Sequence, residues 1–480
     1  MDSTVAAKIA RRFITLPLDK RTLYLEKMLA EGVSPANLPI PQVQSAFDSV
    51  PLSYAQERQW FLWQLEPESA AYHIPTALRL RGALDLNALQ RSFDTLIERH
   101  QSLRTRFVRE DEATRQVIQS AFCVDIAFED AGADEAGLQA WVEAQIRQPF
   151  DLEQGPLLRV TLRRLAADDH VLLVVQHHIV SDGGSMQVMV NELIECYAAY
   201  CRNEAVELPA LAIQYADYAL WQRSWMEAGE RERQLAYWAE RLGGEQPVLE
   251  LPLDHPRPAV QSYRGARCTI PVPPVLGQGL QAVARREGVT LFMLLLASLQ
   301  TLLHRYSGQN DVRVGIPTAN RNRVETEGLI GFFVNTQILR ADFSGGLAFN
   351  ELLQQVKHHA LEAQAHQDLP FEQLVEALAP ERSLSRNPLF QVMFNHQRAA
   401  RQSGTGRQLP GLSVEGVSWD TQVAQLDLTL EVHESDDGLS ASFIYATDLF
   451  DAGSIERMAR HWLALLQAIV EQPGQPVAEL

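Results

Sequence analysis

At 480 residues the chain is too long for one ordinary hydrophobic core, so two or more domains are expected; 46% hydrophobic and 21% charged residues exclude global disorder. The formal charge of -18, from 42 Lys and Arg against 60 Asp and Glu, opposes attraction to nucleic-acid phosphates or anionic lipid. With no apolar run long enough to span a bilayer and no signal-peptide core in MDSTVAAKIARRF, the expectation is a cytoplasmic protein with neither nucleic-acid nor membrane partners.

Residues 1–45 read as a helical lead-in and linker. Asp19 is placed to cap a helix carrying Leu23, Leu25, Met28 and Leu29 that stops near Gly32, and LPIPQ (38–42) reads as linker. Residues 46–225 are expected to form a first subdomain. In it, Leu86, Leu89, Phe93, Leu96 and Ile97 recur at helical spacing behind the cap Asp85. LLRVTLRR (157–164) alternates as a half-buried strand does, AADD (166–169) supplies a turn, and VLLVVQHH (171–178) is continuously apolar like a strand buried on both faces. SDGGS (181–185) then breaks the strand, and Ser185 is placed to cap a helix with Met189, Leu193 and Tyr197. Residues 226–472 should form a second subdomain, with helices over 230–244 and 291–306 and a closing helix behind Asp451 that carries Ile455, Met458, Trp462, Leu465 and Ile469. The final PGQPVAEL (473–480) reads as the start of a downstream linker, as if the domain belonged to a longer polypeptide.

Cys123, Cys196, Cys201 and Cys268 lack zinc-ligand spacing and are too sparse for a disulfide framework, so reduced core thiols are expected. Neither a G-x-x-x-x-G-K-[ST] phosphate loop nor a G-x-S-x-G elbow occurs, which removes the usual support for nucleotide hydrolysis and serine esterase chemistry.

The chemistry-bearing candidate is HHIVSDG, which places His177, His178, Asp182 and Gly183 where a buried strand turns into a loop. A second pair, His358 and His359, lies in a helical stretch with no Asp-Gly after it and reads as a partly solvated face. Strand alternation sends adjacent side chains to opposite faces, so one of His177 and His178 can reach a given cavity, and spacing alone does not choose between them. The competing structural reading is two histidines satisfied by hydrogen bonds at a strand end. Metal binding ranks last, because two adjacent histidines and one Asp do not converge and no nearby Cys or Glu completes a site.

From about residue 50 to 470 the chain resembles the condensation domains of non-ribosomal peptide synthetases. The resemblance rests on SYAQERQWFL (53–62), RHQSLRTRF (99–107), HHIVSDGGS (177–185), YADYALW (215–221), IGFFVNTQILR (330–340), HQDLPFE (366–372) and SRNPLFQVMF (385–394), all in the family's order. It implies an α/β (α+β) fold of two chloramphenicol-acetyltransferase-like subdomains, a V-shaped pseudodimer with a central tunnel. Upstream donor and downstream acceptor carrier proteins would each insert a phosphopantetheine arm, beside an adjacent adenylation domain. The donor's acyl or peptidyl thioester would be joined to the acceptor's amine, in an L-donor, L-acceptor subtype. No metal or other cofactor would be bound by the domain itself, and the excised domain would be monomeric.

Carried onto this sequence, the resemblance makes His178 the catalytic histidine, as general base or positioning device. His177 becomes its inward-packed partner, and Asp182 a structural carboxylate paired with an arginine. Arg104 is the candidate partner, with Arg106 and Arg340 equally available in sequence. Gly183 would let the backbone pass close to the thioester. Gly184, where the family often carries Trp, together with Ser185 and Asn335, are the substrate-tunnel candidates. The intact histidine pair argues against heterocyclisation. An epimerisation domain and a catalytically silent carrier-docking domain are the alternatives.

Overall fold

The computed structural model describes all residues except 1–2, 34–36, 44–49, 133–134, 379–382, 399–408, 410, 418–421 and 436–437. The chain divides into two units that interleave in sequence. The first comprises Met1–Arg233, Ala319–Val334 and Gly404–Trp419; the second comprises Gln234–Thr318, Asn335–Ser403 and Asp420–Leu480.

In the first unit, α1 (Ser3–Thr15) and α2 (Leu18–Ala30) bury Phe13, Ile14, Leu25 and Met28 in one cluster with Tyr215, Trp221 and Trp225. The expected linker joins that cluster through Leu38, Ile40 and Val43, and the Val43 amide donates to the Asp217 carboxylate at 2.6 Å. This segment is therefore seated in the core. Asp19 lies inside the first turn of α2 and makes no capping bond, the N-cap position being Pro17.

After β1 (Val50–Pro51), α3 (Tyr54–Leu65) opens with a capping box in which Ser53 and Gln56 each accept the other's backbone amide. Next come β2 (His73–Gly82) and α4 (Leu86–Arg99), whose first turn is capped by Asp85 through the amides of Asn87 and Ala88. β3 (Thr105–Glu110) and β4 (Ala113–Ile118) pair with β1 in a small antiparallel sheet, order β1-β4-β3. β5 (Ile126–Asp130), α5 (Leu138–Arg147), β6 (Leu158–Ala166) and β7 (Asp169–His177) follow, and β2, β7, β6 and β5 lie side by side. β7 shows why its sequence is continuously apolar. Leu172 and Val174 face Leu89, Phe93 and Met189, while Val171, Leu173 and Val175 face Trp60, Trp141 and Phe150.

The chain continues through α6 (Gly183–Cys201) and α7 (Tyr215–Trp225) into α8 (Arg231–Leu242), which from Gln234 onward belongs to the second unit. Asp182 caps α6 by accepting the Ser185 amide at 2.7 Å, so the cap lies three residues before the Ser185 expected from sequence.

The second unit contributes β8 (Gly265–Pro271), α9 (Pro274–Arg286), α10 (Leu291–Ser307) and β9 (Asp311–Thr318). After a short α11 (Val324–Glu327) in the returning segment of the first unit, it resumes with β10 (Asn335–Asp342), α12 (Phe349–Ala365), α13 (Phe371–Leu378) and β11 (Val392–Arg398). β12 (Leu412–Gly416) returns to the first unit, pairing antiparallel with β2 as the edge of its five-stranded sheet. β13 (Leu428–Ser435), β14 (Gly438–Ala446) and α14 (Ala452–Glu471) complete the second unit. Its six strands run in the order β10-β9-β11-β13-β14-β8. The continuous 226–472 subdomain expected from sequence is thus interrupted twice, because Ala319–Val334 and Gly404–Trp419 find their partners in the first unit. Residues 473–480 are not a free linker: Val477 is buried and its amide donates to Leu347 O at 2.9 Å.

Trp462 of α14 is fully buried, and its indole N–H donates to Ser298 Oγ on α10 at 3.0 Å. Ser298→Ala strands that N–H in an apolar core and should cost about 1–3 kcal/mol. The expected readout is a lower urea midpoint; an unchanged midpoint would show that the bond contributes nothing.

Candidate active site

β7 ends at His177, and the next three residues form a single 3-10 turn, His178–Val180. The two adjacent histidines therefore leave the strand in different directions. His177 is buried against Phe150 and His73, with ring centroids 6.3 and 5.8 Å away, and its Nδ1 accepts the Ile179 amide at 3.1 Å. His178 is only partly buried. Its Nδ1 lies 3.0 Å from Ser181 O, and its ring packs 4.9 Å from that of Phe332. A carbonyl oxygen only accepts, so His178 Nδ1 carries the proton and Nε2 keeps its lone pair.

Asp182 is 1% exposed, and its carboxylate gathers the surrounding segments. Oδ1 accepts from the Ser185 amide at 2.7 Å and from Arg321 Nη2 at 3.1 Å; Oδ2 accepts from the Phe333 amide at 2.9 Å. Arg321 Nη1 donates to Thr326 O and Leu329 O at 2.6 and 2.8 Å, and the guanidinium lies 4.2 Å over the Phe333 ring. Ser185 Oγ receives Arg321 Nη2 at 2.6 Å and the Gly331 amide at 3.0 Å. Its single proton lies between Asp182 Oδ1 at 2.8 Å and Gly331 O at 2.7 Å.

This geometry corrects the expected partner of Asp182 and gives the surroundings of the other candidates. Arg321, 139 residues away in sequence, is the partner of Asp182. Arg104 instead donates to the carbonyls of Ile97, Gln119 and Glu98, Arg106 to Glu153 O, and Arg340 pairs with Asp311. Ser185 is fully buried within the Asp182 node and lines no open space. Asn335 belongs to the second unit, where its amide donates to Leu369 O and Gln367 O and accepts from the Phe371 amide. Gly183 has nothing within 4 Å of where a Cβ would stand, whereas a Cβ on Gly184 would meet Arg321 Nε at 3.0 Å. His358 lies 3.3 Å from Glu362 on α12, and His359 Nδ1 lies 2.9 Å from Arg340 O.

Sequence reading missed Arg321, Tyr215 and Phe332. Phe332 and Tyr215 lie inside motifs already singled out, but Arg321 falls between motifs in NRNRVETEG, where four alternating asparagine and arginine positions look alike.

Burial lowers the His178 pKa, opposed by the charge of Asp182 and by the Ser181 carbonyl, and this leaves a neutral imidazole at neutral pH. His177 is pushed well below its ordinary value by burial and by its neighbours His73 and His178. Burial also brings His73 down to about 4, against the Ile146 carbonyl. A neutral, partly exposed imidazole with a free Nε2 can accept or orient a proton on a substrate amine or hydroxyl. Among the described residues no group of three or more His, Cys, Asp or Glu side chains gathers to hold a metal ion.

Two outcomes follow for stability. Asp182→Asn places an amide where the carboxylate accepts donors on both oxygens, and breaking a buried pair of this kind costs roughly 3–5 kcal/mol; a melting temperature equal to wild type would remove its structural role. His73 and His177 fold in the neutral form but take up protons near 6.5 when unfolded, so the unfolded state binds more protons over that window. Stability is therefore complete above about 6.5 and is lost as pH falls towards 4. Urea midpoints measured across that range should fall with pH, and His73→Gln should flatten the slope.

The family model for the condensation domain matches residues 47–480. The chain is 49% identical over 453 residues to a linear gramicidin synthase polypeptide of Brevibacillus parabrevis, a match that covers 92% of this chain and 6% of that protein. The chain thus spans a small fraction of the length of that relative. Among solved structures it is similar to the X-domain from teicoplanin biosynthesis, with a TM-score of 0.84 and 31% identity over 90% of this chain and 98% of that one. It is also similar to a four-domain nonribosomal peptide synthetase bound to AMP and glycine, with a TM-score of 0.81 and 28% identity over 90% of this chain and 34% of that one.

Proposed function

Because this chain belongs to the condensation-domain family, we propose that it forms an amide bond between two carrier-bound substrates in non-ribosomal peptide synthesis. The donor is an acyl or peptidyl thioester on an upstream carrier protein, and the acceptor is the amine of an aminoacyl thioester on a downstream carrier. An adenylation domain lies beside it in the parent synthetase, and the setting is cytoplasmic. SYAQERQWFL supports an L-configured donor, and the acceptor is taken as L-configured with it.

The observation that carries the reading is the tautomer of His178 set by its Nδ1 bond to Ser181 O, which leaves Nε2 as the acceptor nitrogen. The acceptor nitrogen attacks the thioester carbonyl, the new C–N bond forms, and the C–S bond breaks. A reference α-amine pKa of about 7.7–8.0 exceeds that of imidazole, so His178 meets an already neutral amine rather than deprotonating an ammonium. His178 Nε2 takes the surplus proton from nitrogen in the tetrahedral adduct and returns it to the departing sulfur. Asp182 does not touch the substrate; it fixes the loop from which His178 projects. A second reading, a silent docking domain, draws on the likeness to the teicoplanin X-domain, which is also solved in complex with OxyB. The neutral, available Nε2 favours catalysis.

The test loads a donor carrier with a Cα-deuterated aminoacyl thioester and adds the domain with and without a loaded acceptor carrier. Amide should appear only with the acceptor, and the deuterium should be retained. His178→Ala should lower the rate by roughly 10²–10⁴-fold with an unchanged melting temperature. Enzyme-dependent deuterium washout without acceptor would replace condensation by epimerisation. Carrier binding with neither product nor washout would leave the docking reading, and a wild-type rate in His178→Ala would remove the assigned base.

A further inference from the structure

The tautomer of His178 needs a device that stops the ring from turning over, since rotation about its side-chain bonds would break the Nδ1 contact and move Nε2. One edge of the imidazole is held by Ser181 O. Its ring packs against that of Phe332 in a tilted pair, with centroids 4.9 Å apart and planes at 58°, and Phe332 is only 8% exposed.

The position of Phe332 is set by the peptide group that follows it. That group is bonded at both ends: its carbonyl, Phe332 O, accepts the Tyr215 hydroxyl, and its N–H, on Phe333, donates to Asp182 Oδ2 at 2.9 Å. Because Phe332 O can only accept, the Tyr215 proton is committed there. Ser53 Oγ, 2.8 Å away, must then donate to the Tyr215 oxygen, and it in turn accepts the Gln56 amide at 3.2 Å. The result is a directional relay from Gln56 N–H through Ser53 and Tyr215 to Phe332 O, buried throughout, where aligned hydrogen bonds reinforce one another. Gly331 admits this approach because a Cβ there would fall 2.0 Å from the Tyr215 ring. The same capping box also reaches the turn that carries His178: Gln56 Nε2 donates to Ile179 O, the carbonyl of the next residue, at 3.2 Å.

We propose that Phe332 is a positioning residue for His178, its ring held against the imidazole by the Ser53–Tyr215 hydroxyl relay so that Nε2 stays presented and Nδ1 stays protonated. The proposal rests on the catalytic reading of His178. The charged and titratable groups acting on this ring are Asp182, which favours its protonated form, and Arg58, which opposes it; His178 and buried His177 also act on each other. Burial is the largest influence on His178, and the Phe332 ring, packed 4.9 Å away, is part of what buries it.

The experiment observes His178 directly, in the full domain labelled with ¹⁵N-histidine, by long-range nitrogen–proton correlation across a pH series, with His178→Ala supplying the assignment. Wild type should show the Nδ1–H tautomer. Phe332→Ala should mix the tautomers and raise the His178 pKa by about one unit as water reaches the ring. The acid limb of the condensation rate should move to higher pH by the same amount, and Phe332→Leu should restore most of both. Tyr215→Phe, which removes only the relay hydroxyl, should shift the tautomer in the same direction by less, and provides the reading should Phe332→Ala fold poorly. An unchanged tautomer and pKa in Phe332→Ala, or in Tyr215→Phe when the alanine variant does not fold, overturns the proposal even where activity falls. The nuclear readout needs no carriers, so a domain that makes no amide but shows these shifts loses the catalytic reading and keeps the positioning role.

Discussion

The carboxylate of Asp182 is the constraint on which the site depends. A fully buried anion is tolerable only when donors surround it. Here they come from Ser185 at the start of α6, from Phe333, and from Arg321. Satisfying one side chain therefore fixes the first turn of a helix, two positions in the returning segment and the loop that carries His178. Ser185 Oγ tightens the same node by linking Asp182, Arg321 and both polar groups of Gly331. The His178 imidazole is presented at a strand end whose neighbours cannot shift without exposing a buried charge.

How much was legible in the sequence follows from how local each signal is. β7 was readable because Val171 to Val175 form an unbroken apolar run buried on two faces, and α4 because Asp85 and its stripe are contiguous. The helix after SDGGS was readable, but its cap was misplaced: Asp182 and Ser185 are both good cap residues, and the choice was made by Arg321, far away in the chain. Arg104, Arg106 and Arg340 offered the right charge, yet each is committed elsewhere, and no periodicity distinguishes a guanidinium that meets a carboxylate from one that meets carbonyls. The ordered motifs identified the family and drew attention to His178. The relay through Ser53 and Tyr215 stayed invisible because it exists only when three distant motifs come together.

The segments read as linkers failed for a related reason. LPIPQ has the composition of a connector, but Leu38 and Ile40, with Val43 just after them, carry enough apolar surface to be worth burying once α7 supplies Trp221 and Trp225 beside them. PGQPVAEL likewise seats Val477 in the core of the second unit. Proline limits the backbone without deciding whether the residues between prolines face solvent.

The interleaving of the two units sets a timetable for synthesis. Asp182 leaves the ribosome 151 residues ahead of Phe333 and 139 ahead of Arg321. At the usual 5–20 residues per second, that interval is about 8–30 s. Throughout it the β7 strand and α6 can exist, but the carboxylate between them lacks its cation and one of its amides. The nascent first unit therefore holds this carboxylate in water until the Gln234–Thr318 part of the second has been made, and a ribosome that stalls before residue 321 leaves a protein with a histidine motif and no formed Asp182 node.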